Sequence, residues 1–336
     1  MQYTLGKNLP SVTMLRGIAC LAVCIAHLTG TVNSKIIQEI GHYGTSGVAI
    51  FFVISGFIIP YALYYSSYQI SNYPDFLLKR IIRLDPPYLL SILGIFLLSC
   101  IAQFSPYHTA GIIEIFNINT LYHLFYLVEI FDGKWFNVVF WTLAIEFQFY
   151  LVIGLLFPLF NNKKRITQLL VFISLCVIPF ILPQEKFVSN YMLMFLPGLL
   201  LFCFKTGQIN LKVFFLTGII TLTLNYFKAG LPGIICPLIA VGFILFVNKP
   251  IKPFVFLGTI SYSLYLIHTP FGTDGLINFL QNYILSDNGR IWLMIFSFPA
   301  VIFAAWVFYL IVEKPSINLN KKISYRKISQ PVLESK

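Results

Sequence analysis

The chain has 336 residues, of which 58% are hydrophobic and only 10% are charged, and its mean hydropathy is +0.81. A soluble domain of this size cannot bury so much apolar surface, so the composition excludes a soluble globular protein and indicates an integral membrane protein. The net charge of +11 comes with no basic domain that would bind nucleic acid. The six cysteines lie singly in apolar stretches, so we expect small core residues and no metal site.

Apolar runs long enough to cross a bilayer, roughly 17 residues or more, occur ten times along the chain. They are residues 12–31, 43–65, 87–105, 135–160, 166–183, 189–205, 211–227, 230–248, 254–272 and 290–312. We therefore predict an all-α integral membrane protein of about ten transmembrane helices without a soluble domain. Residues 1–316 would form the membrane domain, and residues 317–336 a short basic tail.

The basic residues predict the orientation of these spans. With ten crossings both termini lie on one side, and 18 of the 23 Lys and Arg residues fall on that side. The positive-inside rule therefore predicts that both termini are cytoplasmic. Residues 121–131 are apolar but too short to span, and a crossing there would move every later basic loop outside. We predict a re-entrant or interfacial helix for them, within an outer loop over 106–134.

The first span carries two ionisable residues, Arg16 and His27, eleven positions apart. On a helix this spacing places them on one face, about 20° apart and about 16 Å apart along the axis. Ionisable groups inside a membrane are costly and commonly functional. A neutral imidazole at this depth suits a general base, whereas the simpler interpretation is a histidine hydrogen-bonded to a neighbouring helix.

Three further residues carry charge next to or inside a predicted span. Arg80 and Arg83 are three residues apart in the predicted cytoplasmic loop 66–86, and two guanidinium groups on one side suit phosphate. The alternative is an anchor for anionic lipid headgroups. Glu146 lies inside the span 135–160, where a carboxylate costs about 2.5–3.5 kcal/mol. We predict that it pairs with His27 and orients the imidazole, or else that it locks two helices together.

The remaining candidates have weaker signals. Ser261, Tyr265 and His268 recur at helical spacing and form a polar stripe along one predicted span. Small residues around Ser55 favour close helix packing, with Ser55 a weak candidate for the site. The predicted lining of an acceptor site or cavity comprises Ser55, Trp141, Tyr150, Ser261, Tyr262, Tyr265 and His268.

Six short motifs follow one another in register over about residues 10–316. They are Arg16-x10-His27, the Gly-Val-x-x-Phe-Phe-Val-x-Ser-Gly-Phe run over 47–57, Arg80-x-x-Arg83 before Pro87-Tyr88, Trp-x-Leu-x-x-Glu-x-x-Phe-Tyr around Glu146, Ser-Tyr-x-x-Tyr-Leu-x-His ending at His268, and Glu313-Lys314-Pro315. Together they resemble the integral-membrane acyltransferase 3 family.

The resemblance implies an O-acetyltransferase of the bacterial cytoplasmic (inner) membrane. Such an enzyme moves an acyl group, most often acetyl, from cytoplasmic acetyl-CoA or another acyl-CoA to a hydroxyl of an extracytoplasmic or lipid-linked sugar. Surface polysaccharides and glycolipids are the acceptors that it implies. Many relatives carry a further soluble domain, so a separate extracytoplasmic transferase or polysaccharide assembly protein is an expected partner.

We therefore expect His27 to be the general base, Glu146 to orient it, and Arg16, Arg80 and Arg83 to bind the acyl-CoA. Direct transfer and a relay through an acyl-histidine both remain open. The alternative from another class is a transporter or flippase for a lipid-linked saccharide that uses His27 and Glu146 as a proton relay. A structural subunit of a polysaccharide assembly complex is a third interpretation.

Overall fold

The computed structural model describes residues 9–104, 117–162, 164–284, 286–323 and 325, and within these ranges the chain is helical with no strand. The helices are α1 (Pro10–Thr29), α2 (Lys35–His42), α3 (Gly47–Tyr65), α4 (Tyr73–Ala102), α5 (Ile118–Leu124), α6 (Phe140–Phe160), α7 (Arg165–Ile181), α8 (Val188–Lys205), α9 (Leu211–Ala229), α10 (Pro232–Phe246), α11 (Lys252–Thr259), α12 (Ser261–Ile267), α13 (Asn278–Leu280), α14 (Asp287–Phe308) and α15 (Lys314–Lys321). Two π-helical turns, His268–Ile277 and Tyr309–Glu313, continue α12 and α14. The all-α prediction is confirmed.

Seven helical segments in the described ranges are long and apolar enough to cross a membrane. They are Pro10–Thr29, Lys35–Tyr65, Ile70–Ala102, Phe140–Phe160, Val188–Lys205, Leu211–Ala229 and Asp287–Lys321. An eighth arises if Lys252–Thr259 and Ser261–Tyr283, which meet at 58°, form one broken span. The shorter apolar helices α7 and α10 correspond to the two other predicted spans. The chain is therefore a multi-pass membrane protein, and ten crossings remain a prediction.

Two predicted boundaries are wrong. Residues 73–86 are not a loop, because α4 begins at Tyr73 and continues through Pro86 and Pro87 into the apolar segment. A proline removes one backbone donor and usually ends a helix, which explains the error. The hydroxyl of Tyr262 donates to the carbonyl of Leu84 at 2.8 Å, which ties this stretch of α4 to α12. The predicted span 254–272 is likewise broken at Ile260, between α11 and α12.

The described part of the predicted outer loop contains one short helix, α5, and turns that pack against the start of α6. His123 is fully buried there; its Nδ1 lies 2.9 Å from the Asn119 carbonyl, and its Nε2 accepts from the Phe136 N–H at 3.0 Å. Burial lowers the pKa of the His123 imidazole, consistent with a neutral ring that stacks on Phe136. Residues 105–116 of this loop lie outside the described residues, as do residues 326–336 of the predicted tail.

Two close helix contacts depend on glycine and position the elements that carry the site. A Cβ on Gly198 of α8 would lie 1.9 Å from the carbonyl oxygen of Val53 in α3. A Cβ on Gly17 of α1 would lie 2.6 Å from the backbone nitrogen of Gly258 in α11. Any larger residue would force these backbones apart, so the contacts set the distance between helices in the core.

Candidate functional site

A cavity of about 180 Å³ lies among α1, α3, α4, α6 and α12. Nine of the twelve predicted site residues line this cavity in the described part of the chain. They are Arg16, Ser55, Arg80, Arg83, Glu146, Tyr150, Ser261, Tyr262 and Tyr265. Thr142 adds a hydroxyl that the sequence analysis did not single out. Five helices from both halves of the chain therefore place polar side chains around one space.

Three arginines converge on this cavity. Arg80 and Arg83 lie three residues apart on α4, and Arg16 reaches the same space from α1. Arg83 interacts electrostatically with Arg16 and Arg80 although all three carry the same charge. The carboxylates of Glu146, which lines the cavity, and of the buried Glu313 offset only part of this positive charge. The arrangement therefore suits a phosphate-bearing ligand.

Arg80 is held in a fixed orientation with part of its donor capacity unused. Its guanidinium carbon lies 5.4 Å from the ring centroids of both Phe76 and Tyr150. Its buried Nε has no hydrogen-bond partner among the described residues. A buried donor without a partner is costly and rare in folded proteins. The guanidinium can therefore donate a hydrogen bond from Nε to an acceptor atom of a bound ligand.

Glu146 is bound inside the cavity by two hydroxyl groups. It accepts hydrogen bonds from Ser55 on α3, at 2.7 Å, and from Tyr150 one turn further along α6. The predicted pair of Glu146 with His27 is wrong, because in the described structure the Glu146 carboxylate binds Ser55 and Tyr150 instead. The faces of α6 and α1 explain the error, because Glu146 points toward α3 and α4 while His27 points toward the turn after α12.

His27 instead contacts His268. Their ring centroids are 5.2 Å apart with the planes at 59°, and neither residue lines the arginine cavity. Tyr265 connects the two places: its ring lies 5.8 Å from that of His268, and its hydroxyl lies 2.6 Å from that of Thr142 in the cavity lining. The predicted base is therefore one aromatic side chain away from the arginine cavity.

Glu313 is a polar residue of the site region to which the sequence analysis gave no role. Its carboxylate is buried and accepts from Ser263, through the backbone N–H at 3.1 Å and the hydroxyl at 2.6 Å. It also interacts electrostatically with Arg16 and Arg83. The sequence signalled this residue through the Glu313-Lys314-Pro315 motif, which follows directly after the last apolar run.

Trp141 does not line the arginine cavity, and its predicted place in an acceptor site stays a prediction. It faces a second cavity of about 250 Å³ on the other side of α6, together with Glu129, Trp135, Val138, Ala144, Ile145, Glu185, Lys186 and Tyr191. Its ring lies 5.5 Å from that of Tyr191, and the Trp135 indole N–H donates to Glu129 at 2.6 Å. We refer to this second cavity as the aromatic cleft.

No group of three or more His, Cys, Asp or Glu side chains in the described ranges is arranged to hold a metal ion. The cavity residues are instead donors and a carboxylate that can bind an anionic organic ligand.

Comparison with known proteins identifies the family. The model of the acyltransferase 3 family, described as an acyltransferase domain, matches residues 9–310. A protein of Acidianus two-tailed virus named "Putative acetyltransferase ORF330" is 30% identical over 299 residues, which cover 79% of this chain and 84% of that protein. No solved structure matches the chain. The chain therefore belongs to the acyltransferase 3 family and is a membrane acyltransferase.

Proposed function

We propose that the protein transfers an acetyl group from acetyl-CoA, or another small acyl group from its CoA thioester, to a hydroxyl of a saccharide. The observation that carries this proposal is the convergence of three arginines with an unpartnered Arg80 Nε on one cavity. Coenzyme A is the polyanionic part of an acyl donor, and guanidinium groups bind its phosphates through paired N–H donors.

The donor enters from the cytoplasm in this proposal, because the distribution of Lys and Arg favours cytoplasmic termini. Arg16 lies in the second turn of α1 and Arg80 in the first half of α4, so both belong to the cytoplasmic ends of their helices in that orientation. His27 lies at the opposite end of α1, about 16 Å along the axis. An extended acyl-pantetheine arm has a length of this order, so the thioester would reach the end of α1 that holds His27.

His27 acts as the general base. Its unprotonated nitrogen removes the proton from the acceptor hydroxyl, whose oxygen then forms a bond to the thioester carbonyl carbon. The carbon–sulfur bond breaks, and the CoA thiolate leaves and takes up a proton. A relay in which His27 itself carries the acyl group consumes the same donor and yields the same products. Glu146 does not orient His27 in this proposal. It accepts hydrogen bonds from Ser55 and Tyr150 and so holds these two side chains in the wall of the arginine cavity.

The aromatic cleft supports a saccharide as the acceptor. Trp135, Trp141 and Tyr191 offer ring faces to the apolar side of a pyranose, and Glu129 and Glu185 accept hydrogen bonds from its hydroxyls. The cleft lies at the same end of the helices as His27. Asn137, two residues after Trp135, donates to the Leu266 carbonyl at 3.1 Å and accepts from Thr269 at 2.6 Å, on either side of His268.

Turnover of radiolabelled acetyl-CoA by the purified protein in lipid tests the proposal. The wild type should release CoA and label a saccharide acceptor, and His27→Ala should lower this rate by at least about 100-fold, the usual contribution of a general base. His42→Ala serves as the matched control, because His42 lies outside both cavities on the short helix α2. Movement of a lipid-linked saccharide across the membrane without consumption of acetyl-CoA would refute the proposed acetyl transfer and favour the alternative function as a transporter.

A further inference from the structure

His268 is buried with only half of its hydrogen-bonding capacity used. The side chain is fully buried, and its Nδ1 lies 2.9 Å from the carbonyl oxygen of Tyr265 and 3.1 Å from that of Leu264. Carbonyl oxygens only accept hydrogen bonds, so the proton of the neutral ring resides on Nδ1. Nε2 is then a free acceptor, and it has no hydrogen-bond partner among the described residues.

The contrast with His123 shows that a fully buried imidazole in the described part of this chain can have both of its nitrogens satisfied. Both histidines are fully buried, and both have Nδ1 bound to a backbone carbonyl in their own helical turn. The Nε2 of His123 is satisfied by the N–H of Phe136 at 3.0 Å, whereas that of His268 is not satisfied. An unpaired buried polar atom costs free energy, so each one that a native fold retains calls for an explanation, and a catalytic role is one such explanation.

The neighbour that can supply the missing proton is His27. The 5.2 Å between the two ring centroids matches the separation at which two imidazoles share one N–H···N hydrogen bond of about 2.9 Å. His27 is only partly buried, so its ring has room to rotate toward His268, whose own ring is fixed by two carbonyls. His268 also begins a π-helical turn, and such turns occur frequently at functional sites.

We propose that His268 is the positioning residue of the general base: its Nε2 accepts the N–H of His27 and thereby fixes the tautomer and orientation of the His27 ring. The second nitrogen of His27 then keeps its lone pair for the acceptor hydroxyl, and His268 stabilises the charged ring after proton transfer. The proposal rests on the proposed role of His27 and assigns to His268 the part that the sequence had suggested for Glu146. At other catalytic sites, a carboxylate or carbonyl oxygen that accepts a hydrogen bond from one histidine nitrogen fixes the tautomer of the ring in the same way.

Two substitutions separate positioning from packing. His268→Gln retains an acceptor oxygen close to the position of Nε2, whereas His268→Leu keeps a buried side chain of moderate size and removes the acceptor. His123→Leu is the matched control, because it removes a buried histidine that does not contact His27. Nitrogen-15 NMR of histidine-labelled protein in lipid reports the tautomer of His27 directly, with His27→Ala used to assign its signals.

The expected result is one neutral tautomer of His27 in the wild type and in His268→Gln, and a mixture of tautomers in His268→Leu. Turnover should fall at least tenfold in His268→Leu with little change in the KM for acetyl-CoA, and His268→Gln should recover most of it. An unchanged His27 tautomer in His268→Leu overturns the proposal, and so does an equal loss of turnover in both variants. If His27→Ala keeps full turnover, the proposed base is refuted, while the NMR result still decides whether the two rings pair.

Discussion

Arg80→Ala tests most directly whether the arginine cavity binds the donor. The guanidinium of Arg80 is held between two rings, and its buried Nε lacks a partner, so a phosphate would gain this donor without displacing an existing hydrogen bond. A hydrogen bond to a charged group contributes about 1.5–3 kcal/mol, and each 1.4 kcal/mol is a tenfold change in Kd. Arg80→Ala should therefore weaken CoA binding by about 10- to 100-fold.

The assay is calorimetric titration of the purified protein in lipid nanodiscs with CoA, and with dephospho-CoA to identify the phosphate concerned. Arg80→Lys should recover only part of the affinity, since it keeps the charge but loses the planar fork and the stacking on two rings. Lys79→Ala is the matched control. Lys79 is the adjacent cation on α4, but it donates to the Ile323 carbonyl at 2.7 Å, lies 5.0 Å from the Tyr325 ring centroid and does not line the cavity.

Equal losses of affinity in Arg80→Ala and Lys79→Ala would show that CoA binding depends on the total positive charge of this face and not on a specific contact with Arg80. Unchanged affinity in Arg80→Ala, with the folded yield intact, would refute the donor site. Arg80 would then be a topology anchor at the membrane surface, which is the alternative that the sequence left open.

Four further changes test other parts of the structure. Glu313→Gln should lower the thermal unfolding midpoint, because removal of a buried charge-assisted acceptor costs about 1–3 kcal/mol, yet it should not weaken CoA binding. An unchanged midpoint would contradict a stabilising role for the hydrogen bonds that Glu313 accepts from Ser263. Glu146→Gln should reduce turnover about tenfold, and normal turnover would demote this residue to a helix lock. Trp141→Ala should raise the KM for a saccharide acceptor several-fold while Trp292→Ala, on the exposed face of α14, leaves it unchanged; equal KM values would remove the aromatic cleft from the acceptor site. Gly198→Ala should cost about 1–3 kcal/mol of stability, measured by thermal unfolding, and a stability equal to that of the wild type would mean that α3 and α8 separate easily.

The amino-acid sequence determined the class of the fold because composition and apolar periodicity are local properties. Runs of apolar residues specify where helices lie, since the bilayer requires every backbone group to bond within its own segment. The same reasoning identified most of the polar residues around the arginine cavity, because polar and charged groups are rare in membrane spans and usually lie together. The boundaries of α4 were missed, since two consecutive prolines normally end a helix and here do not.

Pairing between residues on different helices was decided only by the tertiary structure. The depth of a residue along a helix follows from its position in the sequence, and this made His27 and Glu146 appear to be partners. The rotation of each helix about its axis depends instead on contacts with distant segments, such as the approach of Gly17 to Gly258 and of Gly198 to Val53. In the packed bundle Glu146 lies beside Ser55 and His27 lies beside His268, because the direction of a side chain follows from how its helix packs.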